Sequence, residues 1–227
     1  MSLTLYLHPL ASFCHKVLIA LYENDTPFDA RLVDLLDPEE AARFAELWPV
    51  GKMPVLRDSA RDATIPETSV IIEYLDRHYP GSQPLIPGDV DAALQARLWD
   101  RFFDLYIHVP MQKIVTDTLR GPGENDHRGV AEAHSALGVA YGMADRHFSA
   151  NAFAGGAAFS LADCAAAPAL FYGGIVEPFA DSYPHLSAYF ERLLERPSMR
   201  RVLAEARPYF HMFPYKDLMP PRFLTGG

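Results

Sequence analysis

Two short stretches of the chain carry groups that could hold a peptide. Met53-Pro54 lies inside Trp48-Pro49-Val50-Gly51-Lys52-Met53-Pro54-Val55-Leu56, immediately before an apolar strand pattern. An X-Pro bond is the kind that can be cis. A cis bond here would turn the backbone N–H and C=O of Met53 toward an extended ligand, as an added strand does. Thirteen residues beyond Pro54, Glu67-Thr68-Ser69 opens the helical run Val70-Ile71-Ile72-Glu73-Tyr74-Leu75. Glu67 offers a carboxylate for an ammonium, and Thr68 with the helix start offers donors for a carboxylate. A peptide with both groups at one end answers to that set. A third feature is Ser12, between the first strand and the first helix. A hydroxyl donor and the positive end of a helix both stabilise an anion such as a thiolate, although a serine there also serves as a plain helix cap. Cys14 stands nearby with no C-x-x-C spacing, which argues against dithiol chemistry.

These groups need elements to position them. Leu3-Thr4-Leu5-Tyr6-Leu7 reads as a buried strand, Phe13 to Tyr22 as a helix, and Phe28 to Val33 as a second strand. Asp37-Pro38-Glu39-Glu40 is a helix start, with an Asp cap, proline in the first turn and acids at the positive end. Pro54 to Arg57 and Ala63 to Ile65 bracket a polar turn as a hairpin, and a helix from Glu67 to His78 closes the unit. The order β-α-β-α-β-β-α is that of a thioredoxin-type domain over residues 1–80. Residues 81–90 are a proline- and glycine-rich linker. From 91 to 227 the strand patterns vanish, giving an all-helical domain. Its first pattern runs from Asp91 to about Arg120, with Pro110 as a kink or break. A second helix spans Asp126 to Ser149, and Phe159-Ser160-Leu161-Ala162-Asp163 reads as a capping box with Asp for the usual Glu. The aromatic tail from Pro208 onward is expected to pack on the body.

The 227 residues suffice for two small domains, and 49% hydrophobic residues for a packed core. A net charge of −9 argues against a general nucleic-acid surface. Two cysteines in a chain of this size fit a reducing compartment without a disulfide. No leader pattern and no 18-residue apolar run is present, so the expectation is a cytoplasmic protein with no membrane partner. The nine histidines show no metal-ligand spacing, so no metal is expected. No charge run or exposed apolar stripe marks an interface.

Gly51-Lys52-Met53-Pro54-Val55-Leu56 with Glu67-Thr68, the Ser160 box, and Leu5-Tyr6-Leu7-His8-Pro9-Leu10-Ala11-Ser12-Phe13-Cys14 together resemble the cytosolic glutathione transferase family, its bacterial serine- or cysteine-type members in particular. The resemblance covers nearly the whole chain. It implies glutathione as co-substrate, held by Lys52, Met53, Pro54, Glu67 and Thr68, with Ser12 as hydrogen-bond donor to the thiolate. The Ala11 backbone and Cys14 are alternatives for the sulfur contact. The implied reaction is conjugation to a small apolar electrophile, with Ala11, Phe103, Tyr106 and His108 on the second-substrate side and a homodimer as the assembly. A glutathione-dependent isomerase or dehalogenase, or a non-enzymatic binding module of the same fold, are the rival readings.

Overall fold

A computed structural model describes residues 2–225. Strand β1 (Leu3–Leu7) turns Leu3, Leu5 and Leu7 to one side, where they are buried. Helix α1 (Ser12–Glu23) follows and buries Val17, Leu18 and Leu21. Strand β2 (Asp29–Leu32) pairs parallel with β1. Helix α2 (Pro38–Leu47) starts as expected: the Asp37 carboxylate accepts from the N–H groups of Glu39 (2.8 Å) and Glu40 (3.2 Å). Strands β3 (Val55–Asp58) and β4 (Ala63–Ile65) form the expected hairpin, and helix α3 (Thr68–His78) ends the unit. The sheet order is β2-β1-β3-β4, with β3 antiparallel to β1. This is a thioredoxin-like arrangement with an all-helical second half.

The two faces of the sheet are covered unequally. Leu3, Leu5 and Leu56 join a core that continues through α1 and α3 into the helical half. The opposite face carries a small separate cluster of Val33, Phe44 and Val55, flanked by Tyr6. Tyr6 therefore packs under α2, its ring beside Phe44, away from Ser12.

The stretch expected as one kinked helix from Asp91 to about Arg120 is three segments. Helix α4 (Val90–Phe102) runs into a π-helical turn (Phe103–His108) and then helix α5 (Val109–Asp117). The cause lies at Pro110, which has no N–H to donate back to the preceding turn. The wider turn before it absorbs the mismatch.

Helix α6 (His127–Phe148) packs beside α5. Helix α7 (Leu161–Val176) passes through the centre of the helical half, nearly all of its residues buried. Its start is the expected box, in which the Asp163 carboxylate accepts from the N–H of Ser160 (2.8 Å) and of Ala154 (2.8 Å) and from the Tyr189 hydroxyl (2.7 Å). Helices α8 (Pro184–Leu194), α9 (Pro197–Ala206) and α10 (Pro221–Leu224) complete the half. Phe210, Phe213 and Phe223 of the tail are buried, and their rings lie against Phe171 and Tyr172 of α7.

One sequence expectation is overturned here. The surface does carry an apolar stripe: Val90, Leu94, Leu98 and Leu105 are exposed along α4 and the π turn, and Val70 is exposed on α3. Their spacing blends into the long helical pattern and could not be separated from core positions without knowing which face α7 covers.

Candidate active site

Ser12 is the first helical residue of α1, preceded by Ala11 in an extended conformation. The Cys14 N–H donates to the Ala11 carbonyl at 2.9 Å, so the open donors of the first turn are the N–H groups of Ser12 and Phe13. The Ser12 hydroxyl lies 2.5 Å from Nε2 of His108, at the end of the π turn, and both side chains are buried. The His108 ring stacks on Phe13 with centroids 3.8 Å apart and planes 5° from parallel. Burial, reinforced by the positive charge of Lys16, lowers the His108 pKa to about 3, so the ring is neutral. Its Nδ1 is buried with no hydrogen-bond partner. The tautomer follows. A proton on Nδ1 would leave a buried donor unsatisfied, which is rarer and costlier than an idle acceptor. His108 therefore donates from Nε2 to Ser12 Oγ, and the Ser12 hydroxyl proton is free to point into the cleft.

One turn along, Lys16 is fully buried in the same seam. Its ammonium is 2.6 Å from Asp100 and 2.7 Å from Asp104, and it donates to Ser69 Oγ at 3.0 Å. Ser69 Oγ in turn donates to Asp100 at 2.6 Å. Ser12 and Lys16, four apart on α1, thus face Asp100, Asp104 and His108, spaced by four on the opposite helix. This ladder was missed from sequence. Its signal was there, in the spacing by four of Asp100, Asp104 and His108, but on a helix that also carries Asp91, Gln95, Arg97 and Arg101 it could not be separated from a solvated face.

Two cavities flank the Ser12 region. The first, about 170 Å³, is lined by Lys52, Met53, Pro54, Glu67 and Thr68, with Phe13, Arg101 and Asp104 opposite. The Met53–Pro54 bond is cis. Glu67 has φ of +67°, in the left-handed region that a non-glycine residue rarely adopts. Its carboxylate makes no cap bond to α3 and is exposed. Backbone strain of this kind concentrates where a binding group must be aimed. Oδ1 of Asp104 is buried at this wall without a hydrogen-bond partner. Burial raises the Asp104 pKa, against the pull of Lys16.

The second cavity, about 320 Å³, is apolar. Ala11, Ser12, Phe13 and Met53 form one side, Met111, Gln112, Val115 and Thr116 of α5 another, and Tyr172, Met212 and Phe213 the third. Phe13 and Met53 are common to both cavities. Met111 lies on the helix expected along the second-substrate side; Gln112, Val115, Thr116 and the tail were not assigned to the site from sequence, although the repeat at 111, 112, 115 and 116 is helical in period.

Residues 11–78 match the family description "Glutathione S-transferase, N-terminal domain", and residues 102–197 match "Glutathione S-transferase, C-terminal domain". The chain belongs to the cytosolic glutathione transferase family. Glutathione S-transferase hmp2 from Hypomyces subiculosus is 27% identical over 205 residues, covering 85% of this chain and 94% of its own length. The stringent starvation protein A homolog of Coxiella burnetii is 29% identical over 208 residues, covering 90% and 92%. Among solved structures, a glutathione S-transferase from Methylobacillus flagellatus with GSH bound aligns at a TM-score of 0.81 and 25% identity, covering 88% of this chain and 98% of that one.

Within this glutathione transferase fold, Ser12, Lys52, Met53, Pro54, Glu67, Thr68, Ala11 and His108 gather around the two cavities. Phe103 and Tyr106 do not. Phe103 is fully buried, its ring among Trp99, Phe148 and Tyr189. Tyr106 is 58% exposed, beside Phe102 and outside both cavities. The side of the π turn facing α1 carries 104 and 108, so 103 turns into the helical core and 106 to the surface. Cys14 is fully buried, which pushes its thiol up to about 12. A thiol so placed is neither ionised nor reachable. Among the described residues, no group of three or more His, Cys, Asp or Glu is placed to hold a metal ion, and no helix is long and apolar enough to cross a membrane.

Proposed function

We propose that the protein is a glutathione transferase that adds the thiolate of glutathione to a small apolar electrophile. The observation that carries this reading is Ser12. It is held by neutral His108 at the positive end of α1, and it faces the apolar cavity whose neighbour carries Glu67, Thr68 and Met53. In this reading residues 1–80 hold glutathione, 81–90 link, and 91–227 supply the electrophile side.

Glutathione enters the polar cavity with its γ-glutamyl ammonium toward Glu67 and Asp104. Its α-carboxylate meets the Thr68 hydroxyl and the first-turn N–H groups of α3. The Met53 backbone lies along the peptide, and Lys52 meets the glycyl carboxylate. The sulfur then points to the wall shared by the two cavities, next to Ser12. A free thiol has a pKa of about 8.5 and is mostly protonated near neutrality. A hydroxyl donor and a helix N-terminus favour the anion. With the thiolate formed and the electrophile seated alongside, proximity carries most of the rest. Thiol transfer through Cys14 has no support in a buried, protonated sulfur. Such conjugation would serve detoxification, and two free buried cysteines suit a reducing, cytoplasmic setting.

We further infer a homodimer, because the stripe from Val90 to Leu105 leaves several large apolar side chains in water. Light scattering is expected to give twice the 25.3 kDa of one chain.

The test of function is calorimetric titration with glutathione, followed by glutathione consumption with a panel of uncharged electrophiles. Absence of binding overturns the reading. Binding without turnover on any electrophile makes the protein a binding module instead.

A further inference from the structure

The apolar cavity beside Ser12 does not stop at its own wall. A second apolar cavity of about 280 Å³ lies alongside, bounded on its far side by His8, Asp34, Leu35 and Leu36. Leu10, Ala11, Met53 and Met212 line both. The partition is thus made of two methionines, a leucine and an alanine. Methionine is unbranched, with three rotatable bonds, and gives way at small cost. Met212 is itself 44% exposed, near the surface of the tail.

The far lobe presents apolar surface with nothing over it. Leu36 is 81% exposed and Leu35 is 40% exposed. Its polar groups are already engaged. The Asp34 carboxylate accepts from the Leu36 N–H at 2.9 Å, and Nδ1 of His8 accepts from the Leu10 N–H at 3.2 Å. The one full charge at this lobe is negative, so an anionic end of a ligand is repelled from it. An uncharged apolar group is the occupant that fits.

We propose that the electrophile site is a two-lobed trough, running from Ser12 past Met53 and Met212 to Leu35 and Leu36. Its preferred electrophiles carry a flexible, unbranched apolar chain whose tail lies on those two leucines. This rests on the reading of the adjoining cleft as the glutathione site. The near lobe alone, at about 320 Å³, is at the small end of ligand cavities, which run from roughly 300 to 1,000 Å³. A chain that outgrows it finds an apolar path only by displacing the methionines.

The test uses the intact protein and S-alkylglutathiones with methyl, butyl, hexyl and decyl chains, titrated by calorimetry. Each methylene fully withdrawn from water strengthens binding about fourfold, so affinity is expected to keep rising beyond butyl. Leu36→Ser, at a surface position, is expected to lower the decyl-to-methyl affinity ratio about tenfold. Met212→Trp, which plugs the passage, is expected to lower it as well. If S-methylglutathione does not bind the unaltered protein, the glutathione-site reading falls, and this proposal with it. If the methyl compound binds but affinity is flat beyond butyl, or the ratio is unmoved by Leu36→Ser, the second lobe is wrong and the glutathione site stands. If Leu36→Ser weakens methyl and decyl compounds equally, the lobe holds the peptide's glycyl end and the proposal is overturned.

Discussion

The two walls of the cleft are built in different ways. The wall of the thioredoxin-like half is local: Lys52, Met53, Pro54, Glu67 and Thr68 sit at a strand start and a helix start separated by one hairpin. The opposite wall is not. Asp104 and His108 reach α1 only because a π turn ahead of Pro110 sets their phase, and their partners Ser12 and Lys16 lie about 90 residues earlier. The first wall turns Lys52 and Glu67 out to solvent, with Met53 half-buried and Pro54 and Thr68 buried beside them. The second is a buried polar seam whose members pair across it, Lys16 with Asp100 and Asp104 and Ser12 with His108, while Oδ1 of Asp104 and Nδ1 of His108 have no partner. Changes in the two walls should therefore report on different quantities, binding on one side and stability on the other.

The largest effect is expected in the seam. Lys16→Met leaves Asp100 and Asp104 facing each other with the half-exposed Arg101, 3.4 Å from Asp104, in place of a buried cation. Removing one partner of a buried ion pair destabilises by about 3–5 kcal/mol. Urea unfolding is expected to show that loss. A change below about 1 kcal/mol would mean the seam is hydrated and the contrast between the walls is false.

On the other wall, Glu67→Ala should leave the urea midpoint nearly unmoved. Glutathione affinity should fall by about 1.5–3 kcal/mol, the usual loss for a charged hydrogen bond. Unchanged affinity in calorimetry removes Glu67 from the site.

The same contrast explains what the sequence could and could not reveal. The hairpin, the Asp37 cap, the Ser160 box and the Glu67 helix start are short-range patterns, each fixed by neighbouring residues. The placing of Phe103 and Tyr106 depended on helical phase across the π turn. The break expected at Pro110 begins earlier, at Phe103, so both residues fall inside the irregular turn. Lys16 was hidden for a related reason: a lysine on an amphipathic helix reads as solvated until its two carboxylate partners are placed opposite.

Acid should weaken the seam side in a defined window. Burial lowers His15 to about 4 and His108 to about 3, against about 6.5 in the unfolded chain. His15 donates to the Pro9 carbonyl at 2.6 Å beside Tyr172, and His108 faces Ser12, Phe13 and Lys16. Below pH 6.5 the unfolded chain takes up protons that the folded protein refuses. Stability therefore falls with pH, by at most about 1.4 kcal/mol per pH unit for each histidine. Burial also raises the Asp104 and Asp163 carboxyls, which oppose this, and lowers His8 and His147, which add to it, so in the window from pH 6.5 to 5 the share of one ring is read by comparing its variant with the unaltered protein. Urea midpoints across it should decline, and less steeply in His15→Gln. A flat profile would show that the two rings are accessible to protons in the folded state.

The smallest effect bears most directly on mechanism, because there the seam touches the cleft. If Ser12 donates to the thiolate, Ser12→Ala removes a bond made to the anion and hardly any made to the neutral thiol. Glutathione binding should change little, while the thiol pKa in the complex rises by about one unit, or about 1.4 kcal/mol. Thiolate absorbance of the bound peptide reads this directly, and higher pH should restore part of the lost turnover. His108 acts one step back, through its Nε2–H on Ser12 Oγ. His108→Ala frees the hydroxyl to rotate and should raise the thiol pKa by a smaller amount, about half a unit. His108→Gln, whose amide can donate in place of Nε2, should recover much of that. A structural role alone would lower stability in both His108 variants and leave the thiol titration where it was. An unmoved titration in Ser12→Ala would pass the anion to the backbone donors at the start of α1, and the hydroxyl would then be only the seam's last rung.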